Sequence, residues 1–351
     1  MKASPRWVGE AFRNLHPILP GLRDPNVPMP TLTEFMYGGV RRWPARPLPS
    51  VNPLDGWRYK PETGLRATWL GHSTVLIEID GMRVLTDPVW GPRASPLALA
   101  GPKRFQPVPV ALNAMPPVDL VVISHDHYDH LDYPTIRALA RTNVPFVTSL
   151  GVGAHLEAWG VPPARITELD WWESFALRGL RVKAAPSQHF SGRTLRARNA
   201  TLWSSFVIQG QRHAVFFSGD TGLSTEYQSI RERLGPFDLV MLEVGGLHPS
   251  WGDMHLGPEN ALKALALLGG GAFLPVHWGT FCLAMHAWDQ PAEVLLQRTP
   301  RRLLMPRLGE PIEPTRAEKV RPWWREVDAV DAPLVSENQE KLASTLPYPM
   351  D

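Results

Sequence analysis

One short stretch of the chain carries four side chains that can bind metal ions. They are His125, His127, Asp129 and His130, and they follow the apolar run Val118–Ile123. The run predicts a buried strand, so the four side chains lie on the loop at its end. Because side chains two apart in an extended chain point the same way, His125 and His127 can bind one ion. Asp129 and His130 lie past the bend and can serve a second ion about 3.5–4 Å away.

Three further candidate ligands follow predicted strands at the point where each strand ends. They are His189, Asp220 and His277. A carboxylate has two oxygens and can bridge two ions, and the glycines on both sides of Asp220 leave its carboxylate accessible. An ordinary turn is the alternative for Asp220, and a packed or surface side chain is the alternative for each histidine.

Other polar residues lie on predicted turns near these strand ends. His72 separates two strands of an opening meander, and Asp87 ends the third strand. Both are candidates for groups that orient metal ligands, with a turn role as the alternative. A glycine-rich loop with the character of an active-site loop carries His248 and His255. These two histidines are candidates for contact with substrate or with the ligands.

Composition narrows the class of protein. The 351 residues are enough for one large α/β core with extensions. The chain has 36 Lys and Arg against 34 Asp and Glu, and so balanced a charge argues against a nucleic-acid partner. The single cysteine, Cys282, excludes an internal disulfide and a thiolate-rich zinc site. Imidazole and carboxylate groups must therefore bind any metal.

Strand and helix patterns alternate only in the central part of the chain. We predict an N-terminal arm over residues 1–64, a central domain over 65–310 that carries the candidate ligands and a C-terminal arm over 311–351, both arms being rich in proline. The N-terminal arm is expected to pack on the core; a substrate-channel wall, a homodimer contact and a membrane contact are the alternatives.

The chain shows neither a signal peptide nor an apolar run of about 18 residues. A cytoplasmic protein is therefore expected, with peripheral contact at the inner membrane surface as the alternative.

The motifs, taken in chain order, resemble a known family. They are His125-x-His127-x-Asp129-His130, the lone His189, Gly219-Asp220-Thr221-Gly222 and Pro275–Phe281. This series resembles the metallo-β-lactamase superfamily. Further strings look like the N-acyl-phosphatidylethanolamine phospholipase D branch and its bacterial relatives: Trp69–Leu76, Gly101–Phe105, Asp170–Glu173 and His277–Phe281. One loop departs from that branch, because His248-Pro249-Ser250-Trp251 stands where those relatives usually carry an acidic residue, proline and arginine.

The resemblance implies a four-layered αββα sandwich with two metal ions at one edge. It implies that His125, His127 and His189 hold the first ion, that Asp129, His130 and His277 hold the second, and that Asp220 bridges them. Two zinc ions suit the imidazole ligands, with iron or manganese at one site as the alternative. The resemblance also makes Asp129 and His255 candidate catalytic residues. Asp129 would orient the attacking water, and His255 would bind substrate or transfer a proton.

The implied activity is hydrolysis. Two cations that share a water lower its pKa towards about 7, which makes hydroxide available at neutral pH. The expected substrates are small molecules or lipids, and the expected enzyme is a phosphodiesterase of phospholipase D type acting on N-acyl-phosphatidylethanolamine-like or other phosphodiesters. A lactonase or thioesterase on the same metals is one alternative. A metal-binding scaffold without turnover is another.

Overall fold

The structure of the protein is a computed structural model. It describes residues 1–17, 27–28, 31, 33–34, 40–97, 99–194, 197–246, 248, 250, 254–298 and 302–327. The predicted C-terminal arm beyond residue 327 lies outside the described residues.

The first of two large sheets has seven strands in the order β15-β3-β4-β5-β6-β7-β8. The strands are β3 (Leu65–Gly71), β4 (Thr74–Ile79), β5 (Met82–Thr86), β6 (Leu120–Ile123), β7 (Phe146–Ser149), β8 (Ile166–Leu169) and β15 (Pro311–Ile312). Strands β5 to β8 run parallel, while β3, β4 and β15 pair in antiparallel fashion. Since β15 lies beyond residue 310, the sheet extends into the segment predicted as the C-terminal arm.

The second sheet has six strands in the order β14-β13-β12-β11-β10-β9. The strands are β9 (Ser174–Leu177), β10 (Leu180–Ala185), β11 (Ser205–Gln209), β12 (Ala214–Phe217), β13 (Leu239–Glu243) and β14 (Ala272–Val276). Strands β12, β13 and β14 are parallel. A separate small hairpin near the N-terminus consists of β1 (Trp7–Val8) and β2 (Ala11–Phe12).

Helices cover the outer faces of both sheets. They are α1 (Leu54–Trp57), α2 (Tyr133–Leu139), α3 (Gly153–Ala158), α4 (Glu226–Leu234), α5 (Gly257–Leu267) and α6 (Gln290–Arg298). Ile136 of α2 and Leu156 of α3 are buried in one apolar cluster with first-sheet residues such as Val121. A larger cluster holds the inner faces of both sheets together with buried residues of α4, α5 and α6. The predicted αββα sandwich is therefore confirmed.

The α2 helix illustrates how local sequence places the first ligand loop. Asp132 caps the helix by accepting a hydrogen bond from the backbone N–H of Thr135, 3.2 Å away, and Pro134 lies in the first turn. The helix therefore begins directly after the histidine cluster. The loop is fixed between the buried strand β6 and this capped helix.

Residues in the described parts of both arms are buried against the sandwich. Phe12 of the N-terminal hairpin is fully buried in a cluster with Trp171, Leu202 and Trp203. On the C-terminal side, Trp324 is fully buried in the main core. Parallel strands of both sheets end at the same rim of the sandwich, and the loops that carry the predicted ligands lie there.

Candidate metal centre

The structure brings all seven predicted metal ligands together. Two groups of side chains have their ligand atoms within 4.8 Å of one another: His125, His127, His189 and Asp220 in a first set, and His72, Asp129, His130 and His277 in a second set. A third group of this kind joins Asp220, His255 and His277. The first sheet supplies the loop after β6, and the second sheet supplies Asp220 and His277. The candidate centre therefore spans the two sheets.

The first set has the spacing of ligands around one ion. Nε2 of His189 lies 3.3 Å from Nδ1 of His127 and 3.6 Å from Oδ2 of Asp220. Nε2 of His125 lies 2.8 Å from Nδ1 of His127. Nitrogens bound to tetrahedral zinc at 2.0–2.1 Å are roughly 3.3 Å apart. The set fits a single zinc-sized cation.

The second set is similar and shares Asp220 with the first. Nε2 of His130 lies 3.2 Å from Oδ1 of Asp220, and Nε2 of His277 lies 3.2 Å from Oδ2. Oδ2 of Asp129 is 3.5 Å from Nε2 of His130 and 3.3 Å from Nε2 of His277. The buried atoms His130 Nε2, His277 Nε2 and Asp220 Oδ1 have no hydrogen-bond partner in the described part of the chain. Because a buried polar atom without a partner costs free energy, these three atoms are suited to binding a cation.

Asp220 reaches this position through a glycine. Gly219 has a φ of +54°, and a Cβ at this position would lie 2.6 Å from Cβ of Ser124. A larger residue would separate the end of β12 from the loop after β6. The glycine thus lets a second-sheet carboxylate approach the first-sheet histidines.

The rings of three ligands are held at the nitrogen remote from the cluster. His130 donates from Nδ1 to Oδ2 of Asp87 at 2.6 Å, and His189 donates from Nδ1 to the carbonyl of Met254 at 3.0 Å. Nδ1 of His125 lies 2.9 Å from Oγ of Ser124. Such partners fix the tautomer and leave the other nitrogen for a metal. Asp87, which is fully buried, lies where an orienting group is needed.

His72 contacts the second set from the turn between β3 and β4. Its Nε2 lies 2.9 Å from Oδ2 of Asp129, and its carbonyl accepts a hydrogen bond from the N–H of His277 at 3.0 Å. Burial and the neighbouring His277 lower the pKa of His72 to about 3. The imidazole is therefore neutral, and it can donate to Asp129 or offer Nε2 to an ion.

The two carboxylates among the ligands, Asp129 and Asp220, are ionised. Burial disfavours ionised carboxyls, but His130 and its neighbours outweigh burial and hold the pKa of Asp129 and Asp220 well below the usual range. Burial alone would lower the pKa of His277; Asp220 and Asp129 raise it instead, to about 10. Two ionised carboxylates at this depth attract cations strongly.

Glu243 is a residue that the sequence analysis missed. It is fully buried at the end of β13 and accepts hydrogen bonds from Leu256 N at 3.0 Å and Thr221 N at 3.2 Å. His255 places Nδ1 3.1 Å from Oε1 of Glu243. Burial opposes protonation of His255, but Glu243 outweighs it and raises the pKa of the imidazole. The available signal was one ionisable residue in an otherwise apolar strand.

The predicted candidates His255 and His248 lie in different surroundings. The ring of His255 is 5.1 Å from that of His189 and 5.4 Å from that of His277, centroid to centroid. Nδ1 of His248 instead lies 2.7 Å from Oγ of Ser250. Within the described ranges, His248 belongs to none of the three groups. The structure thus brings His255 to the centre and does not bring His248 there.

Comparison with known proteins agrees with the fold and identifies the family. The model of the beta-lactamase superfamily domain matches residues 82–278, more than half of the chain. The protein Rv0906 of Mycobacterium tuberculosis is 44% identical over 330 residues, which cover 92% of this chain and 88% of that protein. The N-acyl-phosphatidylethanolamine-hydrolyzing phospholipase D 1 of Caenorhabditis elegans is 37% identical over 243 residues, which cover 66% of this chain and 68% of that protein.

Solved structures show the same fold. The metallo hydrolase Igni18 of Ignicoccus hospitalis has a TM-score of 0.55 and 24% identity, covering 71% of this chain and 97% of that chain. The isothiocyanate hydrolase from Delia radicum gut bacteria has a TM-score of 0.57 and 20% identity, covering 71% and 98%. No helix in the described ranges is both long and apolar enough to cross a membrane. The chain belongs to the metallo-β-lactamase superfamily of metal-dependent hydrolases.

Proposed function

We propose that the protein is a binuclear phosphodiesterase of phospholipase D type. Its substrates would be N-acyl-phosphatidylethanolamine-like lipids or other phosphodiesters. The observation that carries the proposal is the pair of ligand sets sharing Asp220, whose Oδ1 faces one set and whose Oδ2 lies near both. Paired cations at about 3.5–4 Å suit displacement at phosphorus, because they stabilise both the attacking and the leaving oxygen.

Two relatives support the substrate class. The Caenorhabditis elegans protein at 37% identity and a mitochondrial protein of Saccharomyces cerevisiae at 32% identity are both N-acyl-phosphatidylethanolamine-hydrolyzing phospholipases D. The yeast match spans 65% of this chain and 50% of that protein. The likeness to the yeast protein is therefore partial, and the lipid specificity is part of the proposal.

The residues divide the chemistry between them. His125, His127 and His189 would hold one ion, Asp129, His130 and His277 the other, with Asp220 between them; zinc suits this imidazole-rich set, with iron or manganese as alternatives. Bound ions would acidify a shared water and stabilise charge on a phosphoryl oxygen. Because Nδ1 of His255 is paired with the carboxylate of Glu243, its Nε2 would be available to the substrate. It would bind the phosphoryl group or donate a proton to the departing alkoxide as the P–O bond breaks.

Metal analysis and a substrate panel test the proposal. Purified protein should contain about two equivalents of metal and hydrolyse bis(p-nitrophenyl) phosphate and N-acyl-phosphatidylethanolamine in vesicles. Asp220→Ala should lose metal and more than about a hundredfold of this activity. Asp55→Ala, at an exposed position outside the ligand sets, serves as the control. Protein that binds no metal, or that consumes only lactones or thioesters, would refute the phosphodiesterase.

A further inference from the structure

We infer that Asn14, on the N-terminal arm, is a positioning residue for the ion that His125, His127 and His189 would hold. The inference rests on the metal centre and not on the identity of the substrate. Asn14 lies outside residues 82–278, the segment that matches the family model. It is therefore a contribution of this chain's arm to the centre.

The side-chain amide of Asn14 pairs with both backbone groups of His189. Nδ2 donates to the carbonyl of His189 at 2.8 Å, and Oδ1 accepts from its N–H at 3.1 Å. Oδ1 also accepts from Nε1 of Trp203 at 3.0 Å. This two-way pairing resembles one rung of a β-ladder, so it fixes the position of the His189 backbone as a neighbouring strand would.

His189 depends on this pairing because it lies beyond the end of β10. Among the described residues, Asn14 is the only hydrogen-bond partner of the backbone N–H and C=O of His189. His189 is fully buried, and unpaired backbone groups at that depth are costly. Met254 fixes the ring and Asn14 fixes the backbone. Together they leave Nε2 directed at the first set.

The arm is anchored well enough to serve as such a support. Phe12, two residues before Asn14, is fully buried, and its N–H donates to the carbonyl of Asn199 at 2.8 Å. Its ring meets that of Trp7 edge-on at a centroid distance of 5.0 Å. Asn14 is thus presented by a packed hairpin.

Substitution of Asn14 should weaken the binding of one ion and leave the binding of the other unchanged. Partners that hold metal ligands in place typically contribute ten- to hundredfold to metal affinity. For Asn14→Ala we expect about tenfold weaker binding at the first set, with the second set unchanged. Competition with a chromogenic chelator gives the two dissociation constants separately. In cobalt-loaded protein, the visible band of the first set should require more cobalt to appear.

Asn14→Asp separates hydrogen bonding from packing. It preserves the shape and the acceptor, but it sets a carboxylate oxygen against the carbonyl of His189. It should weaken the first ion at least as much as Asn14→Ala does, and, being isosteric, it carries the test if the alanine variant does not fold. Asn52→Ala is the matched control, because Asn52 also accepts a backbone N–H, that of Leu54, at 3.1 Å but lies outside the ligand sets.

Two results would overturn the inference. One is wild-type affinity for both ions in Asn14→Asp. The other is equal weakening of both ions together with a lower melting temperature of the chelated protein, which would indicate a general loss of stability. Since no assay with substrate is involved, neither result depends on the proposed phosphodiesterase.

Discussion

Oδ2 of Asp87 lies 2.6 Å from Nδ1 of His130, and both side chains are fully buried. The same carboxylate oxygen accepts a hydrogen bond from Oγ of Ser124 at 2.6 Å. The Ser124 Oγ in turn lies 2.9 Å from Nδ1 of His125. One carboxylate therefore orients an imidazole of the second set directly and an imidazole of the first set through a hydroxyl. Loss of the Asp87 carboxylate should therefore weaken the binding of both ions.

This arrangement predicts different results for Asp87→Asn and Ser124→Ala. We expect Asp87→Asn to weaken both ions by roughly ten- to hundredfold, because both rings lose the charge that fixes their tautomer. Ser124→Ala should weaken mainly the first ion, since the contact between His130 and Asp87 remains. Metal titration of the two chelated variants measures this. Equal effects of the two substitutions on both ions would contradict the relay through Ser124.

His255 and Glu243 should affect turnover more than metal content. Proton transfer by a positioned side chain typically contributes 10²–10⁴-fold, and we expect His255→Ala to lower kcat by about a hundredfold while it retains two equivalents of metal. Glu243→Gln should lower kcat less. Because the Glu243 carboxylate raises the pKa of His255, its removal should move the alkaline limb of the pH–rate profile to lower pH. An unchanged profile would argue against His255 as a proton donor.

A carboxylate at the opposite end of the sandwich should affect stability and not the metal. Asp80, in the turn after β4, accepts from Arg212 N at 2.7 Å and from Nδ1 of His213 at 2.7 Å. Partial burial would raise the pKa of Asp80, but the N–H donors of Arg212 and His213 outweigh it and lower the pKa. The stabilisation is therefore complete above the unfolded pKa near 4 and is lost as pH falls through the lower folded value.

For Asp80→Asn we accordingly expect a free energy of unfolding about 1–3 kcal/mol lower at pH 7. The difference should shrink below about pH 4. Asparagine tolerates the left-handed φ of +48° at this position, so backbone strain does not confuse the comparison. Denaturant unfolding at several pH values provides the measurement. A difference that does not vary with pH would show that charge is not the cause.

The C-terminal tryptophans should be structural. Trp324 is fully buried, and its Nε1 donates to Oε1 of Glu293 at 2.7 Å. Trp324→Ala should cost about 3–5 kcal/mol through the cavity that it leaves, whereas Trp324→Phe should cost less because it keeps most of the ring. Thermal unfolding of the two variants checks this. Equal stability of Trp324→Ala and wild type would mean that this segment does not contribute to the core.

Local pattern explains most of what the sequence predicted correctly. The apolar run 118–123 identified a buried strand, and parallel strands that end at one rim brought the histidines after them together. The strand β11 and the helices α4 and α6 were not predicted. In α4, Tyr227, Ile230 and Leu234 are buried at helical spacing, a signal that the many charged residues between them obscured.

The parts of the site that sequence could not predict are contacts between distant positions. Asn14 and His189 are 175 residues apart, and neither residue type nor spacing indicates that they pair. Glu243 was recognisable only as the end of a strand until His255 was placed beside it. His248 shared a loop with His255, but the chain turns it toward Ser250. Residue type indicated what each of these side chains can bind, and only the tertiary fold determined its partners.

The two sheets are thus fastened at both ends by different chemistry. At one end, side chains from both sheets would bind the same pair of cations. At the other end, Asp80 accepts hydrogen bonds from the turn at residues 212–213. A chelator should remove only the connection through the cations, and acid should break the hydrogen bonds to Asp80. Amide exchange in metal-free protein at neutral pH should therefore quicken around the histidine loops first, with the distant turn still closed.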